Sequence, residues 1–398
     1  MSEAPPSRSF NPFDHALHYD PYPTYRWLRD EEPVYHNSEM GFWTLSRFDD
    51  VLDAFRDWDH FTSTQGIALE EVASQAPSMI GLDPPSQTAL RKLVVRAFTP
   101  RRVAEMEPRI RKLTTGFLDA LVEEGTVDLI ERFACLLPSD VISTMLGAPK
   151  EDHSQLRIWT NLILSRDDGV ARPPQAAQDA TQSQIEYFGA LIQDKRVQPG
   201  DDLLSALCEA ELDGRRLTDV DILGFAFLLI TGGNETTEKL IANTVHQLSR
   251  HPDQRTAILE NPLRIPAAVE ESLRFRSPTQ YMVRTTTRPY TAHGREIPAG
   301  EKVVLLIGAG NHDERQFDEP ERFDVGRSME RHLAFGFGVH FCLGASLARL
   351  EARVALEEIH RRIPDYEVDE GGIDVVNAGN VAGLAKLPIH FTPAARSR

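Results

Sequence analysis

Cysteine is scarce in this chain. Three occur among 398 residues, Cys135, Cys208 and Cys342. Their wide spacing excludes a disulfide framework and a CxxC zinc site, and such sparse use fits a reducing compartment. Long apolar runs are also missing. No stretch reaches the ~18 apolar residues of a membrane span, and the N-terminus has neither a basic n-region nor an apolar h-region. The chain therefore reads as cytoplasmic, with no membrane anchor. Positive charge is in the minority: 43 Lys and Arg stand against 60 Asp and Glu, a net charge of −17. That balance excludes nucleic acid as the main partner. Internal repeats, low-complexity linkers and Gly-rich flavin or nicotinamide fingerprints are absent as well, so no reductase-type module is fused to the chain.

What is present suits a large core, with 41% hydrophobic and 26% charged residues. The pattern predicts a mainly α fold with a smaller, largely C-terminal β portion, as a single domain over 1–398. Residues 1–20 form a proline-rich, partly extended lead. "DPYPTYRWLRDEEP" reads as a short helix, "VYHNSEMGFWTLS" as two strands around a turn, and "RFDDVLDAFRDWDHF" as a helix. From "DPPSQTALRK" to about Ala210 the pattern is almost wholly helical. Arg215 to Arg250 is the most apolar long helix, and Pro266 to Phe275 a shorter one. Strands return in "TTTRPYTAHGREIPAGEKVVLLIGAGN", with "IPAG" as a turn. A last helix over Ala345–Arg362 precedes a β-like tail.

Two stretches carry chemistry. In "LAFGFGVHFCLGASLARLE" the glycines at 336, 338 and 344 surround Cys342, just before a predicted helix. Such glycines let the backbone turn sharply and approach a flat group, and a helix N-terminus favours a thiolate. The arrangement suits an axial ligand of haem iron; the plain alternative is a buried structural cysteine, which is how Cys135 and Cys208 read. In "FAFLLITGGNETTEKLIANTV" an apolar helix is interrupted by Gly232, Gly233, Glu235 and Thr236. Interior glycines cost roughly 1 kcal/mol each, and a buried acid is costly unless paired or used. Gly232 and Thr236 share a face, so the hydroxyl can bond back to the Gly232 carbonyl and loosen the helix. The alternative is a Gly-Gly kink beside a capping threonine.

Phe335-Gly336-Phe337-Gly338-Val339-His340-Phe341-Cys342-Leu343-Gly344 matches the haem-thiolate signature FGxGxHxCxG at every fixed position. By it the chain resembles the cytochrome P450 family. "GGNET" is similar to that family's AGx(D/E)T motif, and "DPP", ExxR and "PERF" follow the family order. The resemblance implies a triangular fold with haem b between the long central helix and the cysteine-loop helix. Cys342 would ligate the iron, with Phe335, Gly336 and Gly344 shaping its loop. Thr236 and Glu235 would deliver protons to dioxygen as its O–O bond breaks, in a groove made by Gly232 and Gly233. Arg91, Arg284 and His340 would meet the haem propionates. Gln87 stands where the family carries histidine and would keep that contact in neutral form. Glu271, Arg274 and Arg322 would form a structural ion-pair lock.

The resemblance also implies a pocket lined by Leu228, Thr231, Tyr281, Met282, Val283, Asn380 and Val381, with mobile entrance elements around 64–82 and 165–180. It implies a monomeric monooxygenase that takes electrons from NAD(P)H through a ferredoxin reductase and an external ferredoxin. The substrate would be a small hydrophobic molecule: terpenoid, steroid, polyketide or fatty acyl. The run Arg91–Lys112, dense in arginine and lysine, would dock the ferredoxin; otherwise it is a solvated helix face. An atypical P450 reaction (oxidative coupling or peroxide-driven oxidation) and a non-catalytic haem sensor or carrier are the alternatives.

Overall fold

Thr218 starts the longest helix among the described residues, Asp219–Arg250. These are residues 8–69, 78–212 and 214–395 of a computed structural model. The Thr218 hydroxyl accepts from the Asp221 N–H while the Asp221 carboxylate accepts from the Thr218 N–H, a reciprocal cap that fixes the start. The helix begins four residues later than the apolar pattern predicts. Arg215–Arg216 instead pair with Glu211–Leu212 as a two-residue hairpin, with Gly214 at φ +76° supplying the turn. Pro252 ends the helix, because the residue before a proline is pushed out of the α region.

This central helix packs against Leu136–Met145, Gln175–Val197, Ile265–Phe275 and Ala345–Arg362. Its apolar residues, including Phe225, Ile230, Leu240, Ile241 and Val245, lie in the main core. The last two partners have the bounds expected from sequence to within a residue.

The β portion is less C-terminal than its pattern predicts. The main sheet runs in the order 34–37, 42–45, 302–305, 282–286, 61–62. Three of its strands thus come from the first 62 residues. Strand 302–305 is parallel to 42–45 and the other pairs are antiparallel. Ile307–Gly310 turns into a helical stretch rather than extending the strand. The N-terminal lead, expected to be partly extended, holds a short helix at His15–Tyr19 capped by Asp14. Of the expected entrance elements, residues 70–77 lie outside the described residues. Ser165 is tied by a β-bridge to Ala378, and Gln175–Val197 is helical.

Candidate active site

Glycines shape the cysteine loop. Gly336 and Gly338 have φ of +62° and +70°, where a side chain is strained. At Gly338 a Cβ would also lie 2.7 Å from the Phe55 carbonyl oxygen, so the loop sits directly on the end of helix Phe48–Arg56. The Cys342 N–H donates to the Phe335 carbonyl at 2.9 Å and closes the loop. The chain then enters the helix Ala345–Arg362. Burial pushes the Cys342 thiol up; the N–H groups of Gly344 and Ala345 and the charges of Arg91 and Arg349 oppose it. Those donors are a helix N-terminus aimed at sulfur, the arrangement that favours a thiolate. Cys135 and Cys208 differ. Both are buried, burial lifts the Cys135 thiol to about 12, and their sulfurs donate only to the carbonyls of Glu131 and Ile192.

Two side chains one turn apart on helix Ser86–Val94 strap this loop. Gln87 Nε2 donates to the Val339 carbonyl at 2.8 Å and an Arg91 terminal nitrogen donates to the Phe341 carbonyl at 2.6 Å. Gln87 is 1% exposed, and its oxygen accepts from Thr88. The expected contact with a propionate is therefore corrected: the neutral amide is satisfied inside the protein and holds the loop backbone.

Arg91, Arg284 and His340 remain as carboxylate partners, since the bond to Phe341 uses only one nitrogen of the Arg91 guanidinium. Arg284 is 3% exposed, donates to the Val283 carbonyl, and makes no ion pair among the described residues. Burial holds its guanidinium down to about 10, opposed by Asp83. Burial and then Arg284 push His340 down to about 4, and its Nε2 lies 3.2 Å from Ser63 Oγ. A buried, unpaired guanidinium calls for an anion. Cβ atoms added at Gly232 and Gly344 would meet nothing within 4 Å. A thiolate loop, an open glycine cradle and a buried cation together fit haem.

On the central helix, Thr236 Oγ1 donates to the Gly232 carbonyl at 2.8 Å, the geometry their spacing allows. Glu235 is 5% exposed, and burial lifts its carboxyl to about 7 against the pull of Lys239. Its Oε2 has no partner among the described residues. Gly233 does not share the groove. A Cβ there would sit 3.3 Å from Ile142, because successive helix residues point about 100° apart; Gly233 admits a neighbouring helix. One turn beyond Glu235 lies a pair missing from the sequence expectations, Glu238 and Lys239, bonded at 2.5 Å and nearly fully buried. The Lys239 stem lies where a Cβ on Gly383 would fall, 2.8 Å away.

The expected pocket set divides. Leu228, Thr231, Met282 and Asn380 are partly exposed, and Asn380 Nδ2 donates to the Tyr281 carbonyl at 3.3 Å. Tyr281 and Val283 are instead core residues, 2% and 0% exposed, packed with Tyr25, Leu28 and Phe42. Strand alternation sends them to the face opposite Met282 and Arg284. Val381 is buried beside its bridge to Thr279.

The ion-pair lock is also corrected. Glu271 and Arg274 are bidentate at 2.7 and 2.8 Å and wholly buried. The third member is Arg327, whose Nε donates to Glu271 at 3.2 Å. Arg322 contributes its backbone carbonyl to Arg274, while its side chain turns outward to Glu319.

Comparison with known proteins agrees with this geometry. Residues 174–364 match the family model described as Cytochrome P450. The chain is 43% identical over 390 residues to "Putative cytochrome P450 123" of Mycobacterium tuberculosis, covering 96% of this chain and 97% of that protein. Among solved structures it is similar to the bacillaene polyketide synthase cytochrome P450 PksS of Bacillus subtilis 168. The TM-score there is 0.89 at 33% identity, over 96% of this chain and 100% of that one. It is also similar to a mutant of P450 EryK in complex with erythromycin B, with TM-score 0.87 and 36% identity over 96% of this chain and 98% of that one.

Proposed function

Since the chain belongs to the cytochrome P450 family and is a monooxygenase of its bacterial branch, we propose that it oxidises a C–H bond of a polyketide-type hydrophobic substrate. The observation that carries the reading is the Thr236 hydroxyl held on the Gly232 carbonyl beside a buried, partnerless Glu235 oxygen. A carrier has no use for a proton relay. The substrate class is supported by the likeness to PksS and to the erythromycin-bound EryK.

Haem b would be held through Cys342, with Arg91, Arg284 and His340 as partners for its carboxylates, and would supply dioxygen activation. The protein's own residues do the rest. Thr236 Oγ1 releases a proton into the groove beside Gly232. Glu235, poised near neutrality, replaces it. Leu228, Thr231, Met282 and Asn380 line the substrate side with mostly apolar surface and a few polar tips. The same reading places a single-domain monomer in the cytoplasm. No helix of the described residues is long and apolar enough to cross a membrane.

Electrons would come from NAD(P)H through a ferredoxin reductase and a ferredoxin. The expected docking run is narrower than its sequence implies, because Arg111 is held by Glu107, Glu357 and Glu358, and Arg101 and Arg102 pair with Glu105. Lys92, Arg96, Arg109 and Lys112 stay exposed, as do the apolar Phe341 and Val95 at 39% and 38%. An acidic iron–sulfur protein complements that surface. Charge reversal at Arg96 and Arg109 is expected to slow ferredoxin-driven reduction about tenfold at low salt, while reduction by dithionite is unchanged. Equal rates for variant and parent would remove the docking assignment. The substrate reading is tested by titrating macrolides, steroids and fatty acids and following the optical shift on binding. Turnover with the redox pair then separates monooxygenation from peroxide-driven chemistry.

A further inference from the structure

Two adjacent acids on helix Ile265–Phe275 serve different arginines. Glu271 turns inward to Arg274. Glu270 faces the terminal helix, where it accepts from Arg349 Nε at 2.6 Å and from a terminal nitrogen of Arg349 at 2.9 Å. It also lies 3.1 Å from His332 Nε2. His332 Nδ1 accepts the Ala334 N–H at 3.1 Å, so Nε2 carries the proton that His332 donates to Glu270. Burial raises the Glu270 carboxyl, yet the bonds from His332 and Arg349 outweigh it and hold the group down to about 2.

These contacts converge on one ring. The Arg349 guanidinium sits 4.5 Å over the Phe335 centroid, and the His332 ring is 5.8 Å from it. The Phe335 carbonyl is the acceptor of the Cys342 N–H. An arginine fork bound on both oxygens is stiff, and it stacks well on an aromatic face.

Resting on the reading of Cys342 as the haem ligand, we propose that Glu270 is a positioning residue for the thiolate loop. It fixes Arg349 over Phe335, braces His332 beside it, and cancels part of the Arg349 charge next to the sulfur. Reduction adds one negative charge to the centre, so a nearby cation raises its potential and a nearby anion lowers it.

The test compares Glu270→Gln, Arg349→Gln and their combination in the haem-loaded protein by redox titration. Glu270→Gln leaves the Arg349 charge uncancelled and should raise the potential. Arg349→Gln should lower it, and the double variant should return toward the parent. Each single change should also speed loss of the thiolate-type band in the reduced carbonyl complex, about fivefold. Glu270→Asp keeps the charge and should restore the potential. Potentials that do not move, or that move the same way in both single variants, overturn the proposal; a merely structural role would give that result alongside a lowered Tm. If Glu270→Gln fails to take up haem, Arg349→Lys carries the test. It keeps the charge without the fork, so the band should decay faster at unchanged potential, and an unaltered decay overturns the proposal. A parent protein without any thiolate-type band would instead sink the assignment of Cys342.

Discussion

Arg274→Ala is expected to destabilise the fold by about 3–5 kcal/mol, the range for breaking a buried pair by removing one partner. Glu271 would stay 1% exposed with only Arg327 and the Asp324 N–H to bond it. The carbonyls of Asn311, Pro320 and Arg322 would lose their donor at the same time. Arg322→Ala should stay within about 0.5 kcal/mol, since an exposed pair contributes little. Urea denaturation of both variants measures the contrast. A larger loss at Arg322 than at Arg274 would contradict the lock as described.

Replacing Thr236 by alanine should leave electron consumption running while product per electron pair drops roughly tenfold or more, the scale of a lost proton-transfer group. Parallel assays of NAD(P)H consumed and product formed read this directly. Glu235→Gln should lower kcat by roughly a hundredfold and change its pH dependence. In the parent, burial lifts the carboxyl from its ordinary 4.5 to about 7, so proton supply declines as pH rises through neutrality. Glutamine has no proton to lose, and that limb should vanish. Stability carries the same signature with a definite sign. A raised acid binds its proton more tightly in the folded state, so its contribution is greatest below 4.5 and declines as pH rises toward about 7. Denaturation at pH 5 and pH 8 should show a smaller difference for Glu235→Gln than for the parent. An equal difference would mean that Glu235 keeps its charge.

The local motifs were legible in the sequence because their chemistry is written in adjacent residues. Gly336, Gly338 and Cys342 lie within one loop, and Thr236 meets the Gly232 carbonyl at the four-residue spacing of a helix. Helix bounds were legible where a breaker marks them, as at Pro252, and drifted where a hairpin intervened, as at Arg215. What stayed hidden depends on which face a residue presents once distant segments meet. Arg322 and Arg327 both lie in "ERFDVGR", and only packing decides which side chain reaches Glu271. Val283 shares a strand with Met282 and Tyr281 immediately precedes it, but alternation turns both into the core. Gln87 offered the chemistry of a carboxylate donor, and the loop backbone at Val339 took it. Glu270 carried no signal beyond being the first acid of "VEESLRF", because its partners lie 62 and 79 residues away.

The central claim is that one sulfur holds the haem. The absorption spectrum of the reduced, carbonyl-bound protein tests it in four versions: the parent, Cys342→Ser, Cys135→Ala and Cys208→Ala. The account predicts the strongly red-shifted Soret band of thiolate ligation in all but Cys342→Ser. That band surviving in Cys342→Ser, or missing from the parent, would contradict it.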